Sequence, residues 1–84
     1  MPTANAVRYD DTVWLRGSQY QVMPLKPRLA GRVTELKRAL EAGVPAYPDA
    51  SRQDFYDVEL SNGWAYIHVR EHNETVYLVA YSPC

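Results

Sequence analysis

Between Phe55 and Tyr81 the chain has few ways to fold. Phe55-Tyr56-Asp57-Val58-Glu59-Leu60 alternates apolar residues with acids. Asn62-Gly63 follows, the pair best suited to a tight type I′ hairpin turn. Trp64 to Arg70 is rich in aromatic and β-branched residues, Glu71 to Glu74 is polar, and Thr75 to Tyr81 is β-branched, aromatic and uncharged. The stretch therefore reads as a three-stranded antiparallel meander.

The two turns set an expected register. A two-residue turn at Asn62-Gly63 places Glu59 opposite Tyr66, Asp57 opposite His68 and Phe55 opposite Arg70. A four-residue turn at 71–74 places Arg70 opposite Thr75, His68 opposite Tyr77, Tyr66 opposite Val79 and Trp64 opposite Tyr81. Side chains alternate between the faces of a strand. One face then carries Tyr56, Val58, Leu60, Ala65, Ile67, Val69, Val76, Leu78 and Ala80, which is core. The other carries Phe55, Asp57, Glu59, Trp64, Tyr66, His68, Arg70, Tyr77, Val79 and Tyr81, which is aromatic and charged.

The residues before the meander supply a partner layer. Residues 1–9 read as a loose tail. Thr12 to Arg16 and Gln19 to Met23 read as a hairpin around Gly17-Ser18, with Val13, Leu15, Tyr20 and Val22 on its apolar side and Trp14 on the other. Pro27 suits a first helical position, and Leu29, Val33, Leu36 and Leu40 form one helical stripe. Gly43 and Pro45 end the helix, which spans roughly residues 27–42, and residues 44–53 read as a loop. A one-sided helix covers one sheet face. The expectation is a single α+β domain over residues 1–84, of order ββαβββ, with one helix on a mostly antiparallel five-stranded sheet. Uncharged Thr75–Tyr81 would aggregate as an open edge. It should be flanked on both sides, with Thr12–Arg16 as its second neighbour, giving the order 2-1-5-4-3.

Composition narrows the function classes. The 84 residues suffice for one small domain. The net charge of −1 argues against a general nucleic-acid coating role. The only cysteine is Cys84, so no intramolecular disulfide can form, which fits a reducing compartment. The first residues lack a basic start and an apolar core, and no apolar run approaches the ~20 residues of a membrane-spanning helix. A cytoplasmic protein without membrane contact is expected. Charge is segregated: residues 26–38 hold five basic residues against one acid, and residues 49–74 hold six acids against two arginines.

No phosphate loop, dinucleotide-binding glycine pattern, HExxH or CxxC is present, and no cofactor is implied. His68 and His72 should diverge in a strand-and-turn setting, so no metal site is expected. Aromatics on a sheet suit base stacking, but Asp57 and Glu59 in the same patch would repel phosphates. Three readings of the aromatic face remain, one of them that it curls on itself, as in a small barrel, and is a second core. Trp14, Phe55, Trp64, Tyr66, Tyr77 and Tyr81, six of the ten aromatics, point to a protein-interaction module that forms a homodimer or binds a partner. The alternative is a small metal-independent ribonuclease or other hydrolase. There, the row Asp57, His68 and Tyr77, with Glu59 and Arg70 beside it, would supply base, acid and phosphate clamp.

Overall fold

A computed structural model describes Leu15 and residues 19–83. It shows an α+β fold in two layers, with one helical layer on one face of a five-stranded, mostly antiparallel sheet. The strands are β1 (Gln21–Pro24), β2 (Ala46–Pro48), β3 (Phe55–Leu60), β4 (Gly63–Arg70) and β5 (Thr75–Pro83), in the order β1-β5-β4-β3-β2. The meander is the centre of the sheet, and β5 lies between two strands.

The strand flanking β5 is β1, which runs parallel to it with Gln21 beside Thr75 and Pro24 beside Leu78. This is the second strand of the expected hairpin. The expected neighbour Thr12–Arg16 lies outside the described residues except for Leu15, which is buried in the core with Tyr20 and Val22. At the far edge, β2 forms where a loop was expected and pairs antiparallel with β3. Its two prolines, Pro45 before it and Pro48 at its end, suggest a loop, yet an edge strand tolerates proline because one side needs no ladder donor.

The expected helix is two segments. Pro27–Arg32 winds as a 3-10 helix and Val33–Glu41 as the α-helix α1. Gly31, with its low helix propensity, sits in the tighter segment. The stripe survives the change of pitch: Leu29, Leu36 and Leu40 are buried, and Val33 packs against them. The end of α1 forms a Schellman cap. The Gly43 N–H donates to Leu40 O (3.1 Å) and the Val44 N–H to Ala39 O (3.2 Å), with Gly43 at φ 87°. The ion pairs Arg32–Glu35 (3.6 Å) and Lys37–Glu41 (3.8 Å) lie on the exposed side of these segments.

Two departures alter the register. The β3–β4 turn is Ser61-Asn62, not Asn62-Gly63, so Leu60 faces Gly63, Glu59 faces Trp64, Asp57 faces Tyr66 and Phe55 faces His68. Neither Asn62 nor Gly63 has positive φ, so the turn is not type I′. Gly63 is needed inside β4 instead. A Cβ there would collide with the backbone oxygen of Ser82 and lie 2.8 Å from the Cα of Pro83. Relative to expectation the partner strand slides by two residues, which preserves parity, so every β3 and β4 side chain keeps its face.

The β4–β5 pairing follows expectation from Arg70–Thr75 to Ile67–Leu78. There a bulge intervenes, and Tyr66 faces Ala80 rather than Val79. Beyond the bulge parity is reversed. Ala80 turns to the aromatic face and is exposed, whereas Tyr81 turns to the helix side and packs against the core. The Arg32 guanidinium lies 4.1 Å from the Tyr81 ring centre. The finished core joins Leu29, Leu36 and Leu40 to Val22, Val58, Ala65, Ile67, Val76 and Leu78.

Candidate functional site

The helix covers only one face of the sheet. The other is built by alternate residues of β3, β4 and β5, extended at its two edges. On β3 and β4 it consists of three cross-strand rows: Glu59 with Trp64, Asp57 with Tyr66, and Phe55 with His68. On β5, Tyr77 faces His68 across the sheet.

The row at the β4–β5 turn end is a stack. The His68 ring lies parallel to Phe55, 4.3 Å between centres and 1° between planes. The Arg52 guanidinium carbon lies 3.8 Å from the Phe55 centre. Two partners this close cannot share one side of a ring, so Arg52 and His68 sandwich Phe55. Tyr77 stands 6.5 Å from His68 at 36°, and Tyr66 5.5 Å from Phe55. Around this stack opens a pocket of about 370 Å³, lined by Leu25, Arg52, Phe55, His68, Arg70, Tyr77 and Val79. Its walls are apolar and aromatic with arginines and a histidine, and among the described residues no carboxylate lines it.

The loop that carries Arg52 is held to the face by Asp49. The Asp49 carboxylate accepts hydrogen bonds from the Tyr66 hydroxyl and from the backbone N–H (2.9 Å) and hydroxyl (3.1 Å) of Ser51. These donors hold the Asp49 carboxyl below the usual carboxylate range, the Tyr66 bond contributing most. Burial and that same bond push Tyr66 up to about 12.

The middle row contains the least expected group. Asp57 is buried, at 3% exposure, between Tyr66 on β4 and Tyr47 on β2, and its Oδ1 has no hydrogen-bond partner among the described residues. Burial raises its pKa above the ordinary carboxylate value, and the nearby Asp49 charge adds to the effect.

The register therefore separates what the sequence reading put together. His68 and Tyr77 are opposed as expected, but the ring on the other side of His68 is Phe55, and Asp57 lies a row away against Tyr66. Glu59 is exposed beside Trp64, two rows from His68. Arg70 is exposed opposite Thr75 and lines the pocket. The expected acid–base row of Asp57, His68 and Tyr77 is not assembled. Among the expected binding residues, Phe55, Trp64, Tyr66 and Tyr77 share the face. Tyr81 has left it at the bulge, and Trp14 lies outside the described residues.

Sequence reasoning missed several members of the face. Tyr47 reaches it from β2, 6.0 Å from Trp64 between ring centres. Met23 lies beside Tyr77 on β1, and Leu25 follows at the pocket wall; both are exposed, at 39% and 54%. Arg52 comes from a loop whose direction depends on β2. The alternation of Gln21, Val22 and Met23 was the one available signal, since Val22 belongs to the core.

Among the described residues no three His, Cys, Asp or Glu side chains converge as a metal site, and no helix is long and apolar enough to cross a membrane. Compared with protein-family models, with curated proteins and with solved structures, the chain gives no match.

Proposed function

We propose that this protein is a small interaction module that binds a protein partner through the aromatic sheet face, with a second copy of the chain as the first partner to test. One observation carries this reading. The face opposite the helix presents six rings in two contact groups, Tyr47 with Trp64, and Tyr66, Phe55, His68 and Tyr77 in a chain, and at its β1 side it merges with the exposed side chains of Met23 and Leu25. Apolar surface of this extent, bordered by charge, is what an interface core and rim require. Rigid aromatics bury much area at little entropic cost, so they dominate interface energetics.

A binding role fits the chemistry better than catalysis. His68 is fixed by stacking on a hydrocarbon ring, and its neighbouring row supplies no exposed carboxylate. Light-scattering mass of the wild type and of Trp64→Ala and Tyr77→Ala, measured across micromolar concentrations, tests the reading. The wild type should rise above its 9.6 kDa monomer mass, and both variants should do so only at higher concentration. Self-association that both variants leave unchanged would place the contact elsewhere.

A further inference from the structure

Resting on the interaction reading above, we infer that a second copy docks antiparallel across the aromatic face, about a two-fold axis crossing the strands at Asp57 and Tyr66. The Glu59 carboxylate of each copy then enters the pocket of the other, beside Arg52 and Arg70. The two ends of the face are unlike. Its centre is the Asp57–Tyr66 row. One row away in one direction are Glu59 and Trp64, and one row away in the other are Phe55 and His68. Each step is two residues, about 6.8 Å, so the two rows are equidistant from the centre.

The ends differ in charge and both charges are unspent. Glu59 is exposed and has no ion pair among the described residues. The same holds for Arg70 at the opposite end, while Arg52 is held over Phe55. Acids near the pocket do not fill it: Asp49 is bonded to Tyr66 and Glu71 accepts from Tyr20 (2.8 Å). Asp54 and Glu74 also lie at that end, exposed, and do not line the pocket.

Two sheets packed face to face by a two-fold must have the axis between them. An axis along the strands would set Glu59 near its own copy and Arg70 near its own copy, which like-charge repulsion disfavours. An axis across the strands exchanges the ends. It brings each Glu59 over a pocket with two guanidiniums and, among the described residues, no carboxylate, and each Trp64 over the Phe55–His68 stack. Such a contact is isologous and closes at two copies. Five strands at ~4.8 Å and six residues at ~3.4 Å give a face of about 19 by 20 Å, a small footprint that belongs with micromolar association.

Charge reversal by mixing tests this. In Glu59→Arg alone, both contacts of the dimer oppose two cations, and in Arg70→Glu alone both oppose two acids. In a mixed dimer both contacts are complementary. Sedimentation equilibrium should show each single variant weakened by at least about tenfold, and their equimolar mixture restored to within about threefold of wild type. Restoration also shows that both variants are folded. A wild type that dimerises while the variants dimerise equally well, or whose weakened variants are not restored by mixing, overturns this docking and leaves the interaction reading standing. A wild type that stays monomeric at hundreds of micromolar overturns self-association itself.

Discussion

At the scale of single residues, folding moves the pKa values of two carboxylates in opposite directions. Asp57 is buried and holds its proton more tightly folded than unfolded. Its contribution to stability is most favourable at low pH. It declines as pH rises from the ordinary value near 3.8 through the raised folded value, because the folded state must then bury a charge. Asp49 is the reverse: its donors favour the anion, so its contribution is present above that ordinary value and is lost as pH falls through the lowered folded one. Urea unfolding across pH 3 to 7 should therefore give curves that diverge oppositely for the two asparagine variants. Asp57→Asn gains on the wild type as pH rises, and Asp49→Asn loses ground over the same rise. Parallel curves would show that neither carboxylate is perturbed by folding. Tyr81 offers a second check. Its buried hydroxyl has no partner among the described residues, so Tyr81→Phe should be neutral or stabilising by up to ~1 kcal/mol in the same assay, since burying an unpaired hydroxyl is unfavourable.

At the scale of elements, the two faces of the meander have different duties, and alanine truncations should separate them. Ile67 is fully buried under the helix, so Ile67→Ala should cost ~2–5 kcal/mol in equilibrium unfolding. Trp64→Ala, one position in from the start of the same strand, removes a partly buried ring from the opposite face and should cost clearly less. Equal losses would make the aromatic face a second core. Gly43 caps the helix at positive φ, and Gly43→Ala should cost ~1–2 kcal/mol. These elements also show what was legible in the sequence. Parity along Phe55–Leu60 and Gly63–Arg70 survives a slide of two residues, so the division into aliphatic and aromatic faces was readable although the turn was misplaced. Which residues oppose one another was not readable, because that depends on Gly63 fitting against Ser82 and Pro83 across the neighbouring strand. The bulge that takes Tyr81 to the core has no local signature. Nor has β2, three residues ending in a proline, so Tyr47 and Arg52 could not be placed on the face.

At the scale of the whole molecule, one short helical layer covers one side of a five-stranded sheet. The strands spend their aliphatic residues on that side, leaving rings and charges for the other. Protection of β5 by β1 and β4 removes the obvious route to uncontrolled edge pairing along Thr75–Leu78, so association through the face can be specific. The central claim is that this face, and not the basic helix, is where a partner docks. Nuclear magnetic resonance on dilution tests it residue by residue. From millimolar to low micromolar protein, signals of Met23, Phe55, Trp64, His68 and Tyr77 should shift along one binding curve, while Leu36, Leu40 and Ile67 stay fixed. Concentration-dependent shifts confined to Arg28, Arg32 and Arg38, with the rings unchanged, would contradict the claim.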